Sequence, residues 1–144
     1  MNCKIDSREY EAEVLTRVDG LRAVASDWER LAAQFGSPLL TAEWFVACAE
    51  TLCAESDLRV VVVRSRGVVC AVAPLVVVRR DGMEWIEMLG VATLYEPAGF
   101  LYDGVESLHC LLSRVISFQL PVALVRLPAE SALEAALREL ARYK

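Results

Sequence analysis

Two tyrosine and carboxylate pairs lie close together in the later part of this 144-residue chain: Tyr95-Glu96, followed by Pro97, and Tyr102-Asp103. A phenol beside a carboxylate can orient an amine and accept its proton, which is the work of a general base. The same residues equally suit a packed loop in which Asp103 caps the helix that follows, and both readings stand at this point. Other chemistry is sparse. His109 is the sole histidine and has no serine, aspartate or second histidine at a useful spacing, so a structural or surface role is expected. Cys3, Cys48, Cys53, Cys70 and Cys110 are odd in number, follow no CxxC spacing and sit mostly among apolar neighbours. They read as buried thiols in a reducing compartment, most simply the cytoplasm. No group of cysteine, histidine and carboxylate has the spacing of a metal site, and no residue is marked as catalytic by its spacing alone.

Composition narrows the partners. A hydrophobic share of 56% against 24% charged residues requires a folded core, and the length suits one ordinary domain, residues 1–144. The net charge of −5 comes with scattered basic residues and no basic stripe, which argues against nucleic acid. The opening MNCKIDSREYEAEV lacks the layout of a signal peptide, so no export signal is expected.

The most apolar stretch, LRVVVVRSRGVVCAVAPLVVVRR (Leu58 to Arg80), raises the question of a membrane span. Its longest uncharged run, Val68 to Val78, is too short for that, since a spanning helix needs about 20 apolar residues. The run is also rich in valine and holds Pro74, which suits strands. Arg64-Ser65-Arg66-Gly67 supplies a turn between two of them, and Pro74 suggests an edge position or a bulge in the second.

Elements on either side follow from periodicity. Alternation from Tyr10 to Val18 predicts a first strand; Asp19 then caps a helix with Leu21, Val24, Trp28, Leu31 and Phe35 on one face, stopped by Gly36. Thr41 caps a second helix through about Cys53, with Trp44, Phe45, Cys48 and Leu52 inward. After the hairpin, Asp81-Gly82 turns into a strand from about Met83 to Leu89, completing an antiparallel meander. Gly90 to Gly104 has no period and reads as a long loop of the kind that often binds ligands. Asp103 and Glu106 predict the cap of a third helix, with Leu108, Leu111, Leu112, Val115 and Ile116 inward. Val122 to Leu127 reads as a fifth strand, buried if more sheet follows it, and Ser131 to Glu134 as a capping box for a last helix. The predicted fold is α+β, a mixed α/β sheet in the order β-α-α-β-β-β-α-β-α, with a parallel crossover between the fourth and fifth strands.

This order and several local patterns resemble the GNAT superfamily of acyl-CoA-dependent N-acyltransferases, most of all the amino-terminal lobe of its CelD-like group, associated with cellulose and exopolysaccharide biosynthesis. The matching segments are DWERLAAQFGSPLLTAEWFVA (Asp27 to Ala47), the hairpin Leu58 to Arg80, LGVATLYEPAGFL (Leu89 to Leu101) and LVRLPAESALEAAL (Leu124 to Leu137). The resemblance implies a GNAT-like fold, incomplete at its C-terminus, in which an amine attacks an acyl thioester directly. It implies acetyl-CoA or another acyl-CoA as cofactor, and as partner a second GNAT-like lobe carrying the better acyl-CoA features. A homodimer through the open sheet edge is the alternative, as a non-catalytic interaction module. It also points to Trp44, on the helix that borders the acceptor, which joins the tyrosine and carboxylate pairs Tyr95, Glu96, Tyr102 and Asp103 as a candidate substrate-binding residue. GNAT lobes hold the CoA pyrophosphate with an Arg/Gln-x-x-Gly-x-Gly/Ala turn before a helix. Arg64 to Val69 only begins like it and lies in a hairpin, while Phe100 to Gly104, at the expected place, has no basic residue.

Overall fold

The computed structural model describes residues 9–94 and 99–142. Strand β1 (Tyr10–Leu15) alternates half-buried and exposed side chains, as its sequence predicts, until Leu15 near its end packs on Gly20. The expected single helix is two: α1 (Val18–Ala23), which starts after Arg17 so that Asp19 lies in its first turn and is not the cap, and α2 (Ala25–Ala32). Val24, at φ −101° and ψ 7°, makes the break, which lets α1 pack on β1 and α3 (Ala42–Leu52) while α2 lies on the sheet. A 3-10 turn, Pro38–Leu40, joins α2 to α3, and Thr41 Oγ1 accepts the Trp44 N–H at 3.3 Å as the predicted cap.

Three consecutive side chains of α2 fix this corner. Trp28 Nε1 donates to the Leu40 carbonyl at 2.8 Å, Glu29 Oε1 accepts the Ala42 N–H at 2.8 Å, and Arg30 donates to the Val69 carbonyl of the sheet at 2.5 Å. The Trp28 ring meets Phe45 with centroids 5.5 Å apart, and both are fully buried. On α3 the buried stripe is Ala42, Phe45, Cys48 and Ala49, whereas Leu52 is exposed and Trp44 only half-buried.

The apolar hairpin is β2 (Leu58–Ser65) and β3 (Val68–Arg80), at the centre of a mixed sheet; β4 (Met83–Met88) is antiparallel to β3, and with β6 (Val122–Ala123) the order is β1-β2-β3-β4-β6. Consecutive residues Val60–Val63 and 69–77 are buried at both parities, so helices cover both faces: α1 to α3 on one, α5 (Val105–Ile116) with α6 (Ala132–Ala141) on the other. The turn is narrower than predicted. Arg66 (φ 51°) and Gly67 (φ 80°) suffice, since two left-handed residues match the strand twist, and Arg64 and Ser65 stay in the ladder opposite Val69 and Val68.

A bulge does occur in β3, but at Cys70: Val63 pairs Ala71 and Arg64 pairs Val69, leaving Cys70 over, with its thiol donating to the Val63 carbonyl at 3.4 Å. Pro74 instead sits in the central strand, opposite Val60. It is tolerated because the other edge of β3 changes partner there. Residues Leu75 to Arg80 pair with β4, residues Ala71 and Val72 pair with β5 (Leu101–Tyr102), and the Leu89 N–H reaches the Pro74 carbonyl at 2.9 Å between them. The missing proline N–H thus falls on a seam with no ladder partner to lose.

Within the predicted long loop the chain forms α4 (Val91–Leu94) and then β5. The third predicted helix, α5, buries Leu108, Leu111, Leu112 and Val115, but Ile116 is exposed. After it, β6 (Val122–Ala123) pairs with β4 in parallel, giving the predicted crossover. The expected strand to Leu127 stops at two residues because the chain turns away, with Arg126 at φ 58°. Nor is it buried: Val122 and Val125 are 38% and 54% exposed. Ser131 Oγ caps α6 by accepting the Glu134 N–H at 3.1 Å, and Glu134 pairs with Arg138 one turn on.

Candidate functional site

The candidate substrate residues fall in different places. Trp44 lies in the first turn of α3, packed against the core. Tyr102 ends β5 and sets its ring edge-on against Phe35, centroids 5.4 Å apart. Asp103 gives its backbone N–H to the Cys70 carbonyl at 3.0 Å and turns its carboxylate to Ser107 on α5. Tyr102 and Asp103 therefore diverge, one toward Phe35 and the other toward α5. No hydrogen bond or ring contact among the described residues joins either one to Trp44, and Tyr95 and Glu96 lie outside the described residues.

At the start of α5 the cap differs from the prediction. Gly104 is the N-cap, and the buried Ser107 hydroxyl accepts its N–H at 3.3 Å while lying 2.8 Å from Asp103 Oδ1 and 2.9 Å from the Gly104 carbonyl. Glu106 folds back so that a side chain at Gly104 would begin 3.5 Å from its Oε2. The local field is negative. Tyr10, on β1, has its phenol pushed up by burial first and then by Glu9, Cys70, Glu106 and Asp103.

A second polar feature was missed by the sequence reading. A cleft of about 230 Å³ opens between the end of α3, β3, β4 and α4, with Cys53, Asp57, Arg79, Glu87 and Thr93 among its lining residues. Glu87 is only 6% exposed, the one buried ionisable carboxylate among the described residues, and its two oxygens bind Arg80 at 2.8 and 3.1 Å. Asp57 binds Arg79 at 2.9 Å on the rim. The sequence carried no signal for its burial: between Ile86 and Met88 the strand alternation puts Glu87 on the face expected to be polar. Nucleophilic sulfur is not part of the cleft. Burial, then Asp57, raises the Cys53 thiol, and burial raises Cys48, Cys110 and Cys70 as well, the last to about 11; a thiolate nucleophile needs the opposite shift. His109 is half-buried on α5, and no group of three or more metal-binding side chains occurs among the described residues. No helix among them is long and apolar enough to cross a membrane.

No protein-family model matches the sequence, and no curated protein matches it. The structure does match two crystal structures of an aminoglycoside acetyltransferase from an uncultured soil metagenomic sample. In the one bound to sisomicin the TM-score is 0.57 at 14% identity, covering 97% of this chain and 89% of that one. In the one bound to trehalose the TM-score is 0.54 at 11% identity, covering 96% and 89%. The fold is GNAT-like. At this identity the likeness shows the fold alone.

The family resemblance implies an acyl-CoA, and the α5 amino terminus is the place to test for its pyrophosphate, since backbone N–H groups at a helix start suit an anion. The residues present do not fit. The helix end faces its own carboxylates, Asp103 and Glu106, Ser107 is already bonded to this turn, and no lysine or arginine occurs between Arg80 and Arg114.

Proposed function

We propose that this chain is a GNAT-like acyltransferase lobe of the CelD-like kind, cytoplasmic, which binds an amine or sugar-linked acceptor. The observation that supports this most is Glu87, a buried carboxylate exposed to a small cleft on a GNAT-like sheet. An acceptor ammonium in that cleft would share the Glu87 carboxylate with Arg80 through the lone pairs that the guanidinium leaves, while Thr93 orients a hydroxyl. Further acceptor contacts are Trp44, which the family resemblance suggests, and Tyr95, Glu96, Tyr102 and Asp103, which the pairing of phenol with carboxylate suggests. The similar acetyltransferase structures, bound to sisomicin and to trehalose, accord with an acceptor of this class.

The test is a titration of isotope-labelled protein with glucosamine, using glucose as control, followed by amide chemical shifts. Saturable shifts centred on Glu87, Gly90 and Thr93, weakened about tenfold in Glu87→Gln as loss of one charge-assisted bond predicts, are the expected result. No shift there, or equal affinity in the variant, refutes the assignment.

A second reading has its own observation. The outer edge of β6 has no strand beside it among the described residues, and Val122 and Val125 are exposed next to it, which favours a module that pairs through this edge with a second copy. Light scattering after size exclusion decides it, because a strict monomer across the concentration range excludes that role.

A further inference from the structure

The α5 amino terminus combines two properties that do not belong together in an anion site. A 12-residue helix presents free N–H groups and the positive end of its dipole, yet the two ionisable side chains nearest that end in sequence are acids. We infer that this helix end is closed to the pyrophosphate of a CoA thioester by Asp103 and Glu106, so that any acyl donor used with this fold is held by a surface other than the α5 end of this chain. The inference deepens the acceptor-lobe reading and rests on it for the reaction class, but its physical content is local.

Three contacts produce the closure. The Asp103 carboxylate is anchored by the Ser107 hydroxyl at 2.8 Å, one residue before the N-cap where an incoming phosphate would sit. Glu106 lies over Gly104, filling the approach that the missing side chain would leave open. The Ser107 hydroxyl, which a phosphate oxygen would need, is committed to Gly104 N–H, Asp103 and the Gly104 carbonyl. Cationic compensation does not come from the flanking chain. The sequence from 81 to 113 holds no lysine or arginine, and Arg30, which favours the nearby Cys70 thiolate, is bonded to the Val69 carbonyl. Two carboxylates facing a diphosphate repel it at a distance well inside the screening length of physiological salt, about 8 Å.

The experiment compares the wild-type chain with Asp103→Asn/Glu106→Gln, a pair that keeps the shape and capping capacity of both side chains. Inorganic pyrophosphate and acetyl-CoA are titrated separately while the amide resonances of Gly104 to Ser107 are followed, with melting curves confirming that both proteins are folded. The wild-type amides should stay in place with either probe, and those of the double variant should move saturably with pyrophosphate, at about tenfold or greater gain in affinity from removing two like charges. Saturable movement in the wild type overturns the inference. A double variant as inert as the wild type also overturns it, since the carboxylates would then not be what keeps phosphate out. Glucosamine titrated into the same samples reports on the acceptor reading separately, and its failure leaves the helix-end result standing.

Discussion

Cys70 offers a quantitative test of how tightly this sheet is closed. Its thiol sits at the bulge of β3, 3% exposed, donating to the Val63 carbonyl, and its pKa is raised from 9.0 to about 11. Burial is the main cause, followed by Asp103 and Cys110, with its own backbone hydrogen bond and Arg30 opposing. A thiol that holds its proton more tightly when folded stabilises the native state fully below pH 9. That stability is lost as pH rises through 9 toward 11, because the unfolded chain then releases the proton first. Linkage gives a loss of about 1 kcal/mol by pH 10, approaching about 3 kcal/mol above pH 11. In Cys70→Ala this loss is absent, while the lost sulfur costs about 1 kcal/mol at neutral pH. Urea unfolding of both proteins from pH 7.5 to 10.5 therefore predicts a wild-type advantage at pH 7.5 that shrinks to zero and changes sign near pH 10. The raised Cys48 and Cys53, which have no interaction with Cys70, are common to both chains and cancel in the difference. Parallel loss of stability in the two proteins would refute the burial argument.

Three further substitutions probe the frame around the cleft. Trp28→Phe removes the bond to the Leu40 carbonyl and part of a fully buried ring, and chemical denaturation should show a loss of about 2–4 kcal/mol. Gly90→Ala places a methyl 3.0 Å from Cys48 Sγ at a φ of 84°, at a cost of about 1–3 kcal/mol. In a Cys48→Ala background the contact share of that cost should vanish and only the backbone share remain, which a double-mutant cycle measures. Arg66→Asn puts a residue that accepts positive φ at the first turn position, and calorimetry should show a gain of about 0.5 kcal/mol.

What the sequence conveyed well was periodicity. The meander, the parallel crossover and the helix caps at Thr41 and Ser131 follow from local patterns that the packed structure has no reason to override. The landmarks behind the family resemblance turn out to be anchors: Trp28, Glu29 and Arg30 bind the turn after α2 and the sheet, so they report the fold and carry no catalytic information. Less visible was anything set by a distant partner. Pro74 looked like an edge residue because the seam between β4 and β5 is defined by chain that comes about fifteen to thirty residues later. Glu87 passed unnoticed because its partner, Arg80, belongs to the preceding strand and its burial is a property of the finished sheet. The short β6 shows the reverse error, an apolar segment whose β-propensity was overruled by one left-handed residue, Arg126.

The seam on β3 has a consequence for how such a chain can change over evolutionary time. β4 and β5 are aligned by the same strand and not by each other, so neither register is set by the length of the chain between them. Leu89, Gly90 and Thr93 at its start border the Glu87 cleft. Length changes that keep the buried Leu89, Val91 and Phe100 in place alter what the cleft meets while both ladders hold their register, which separates the part of the sequence free to explore new small molecules from the part that must stay constant.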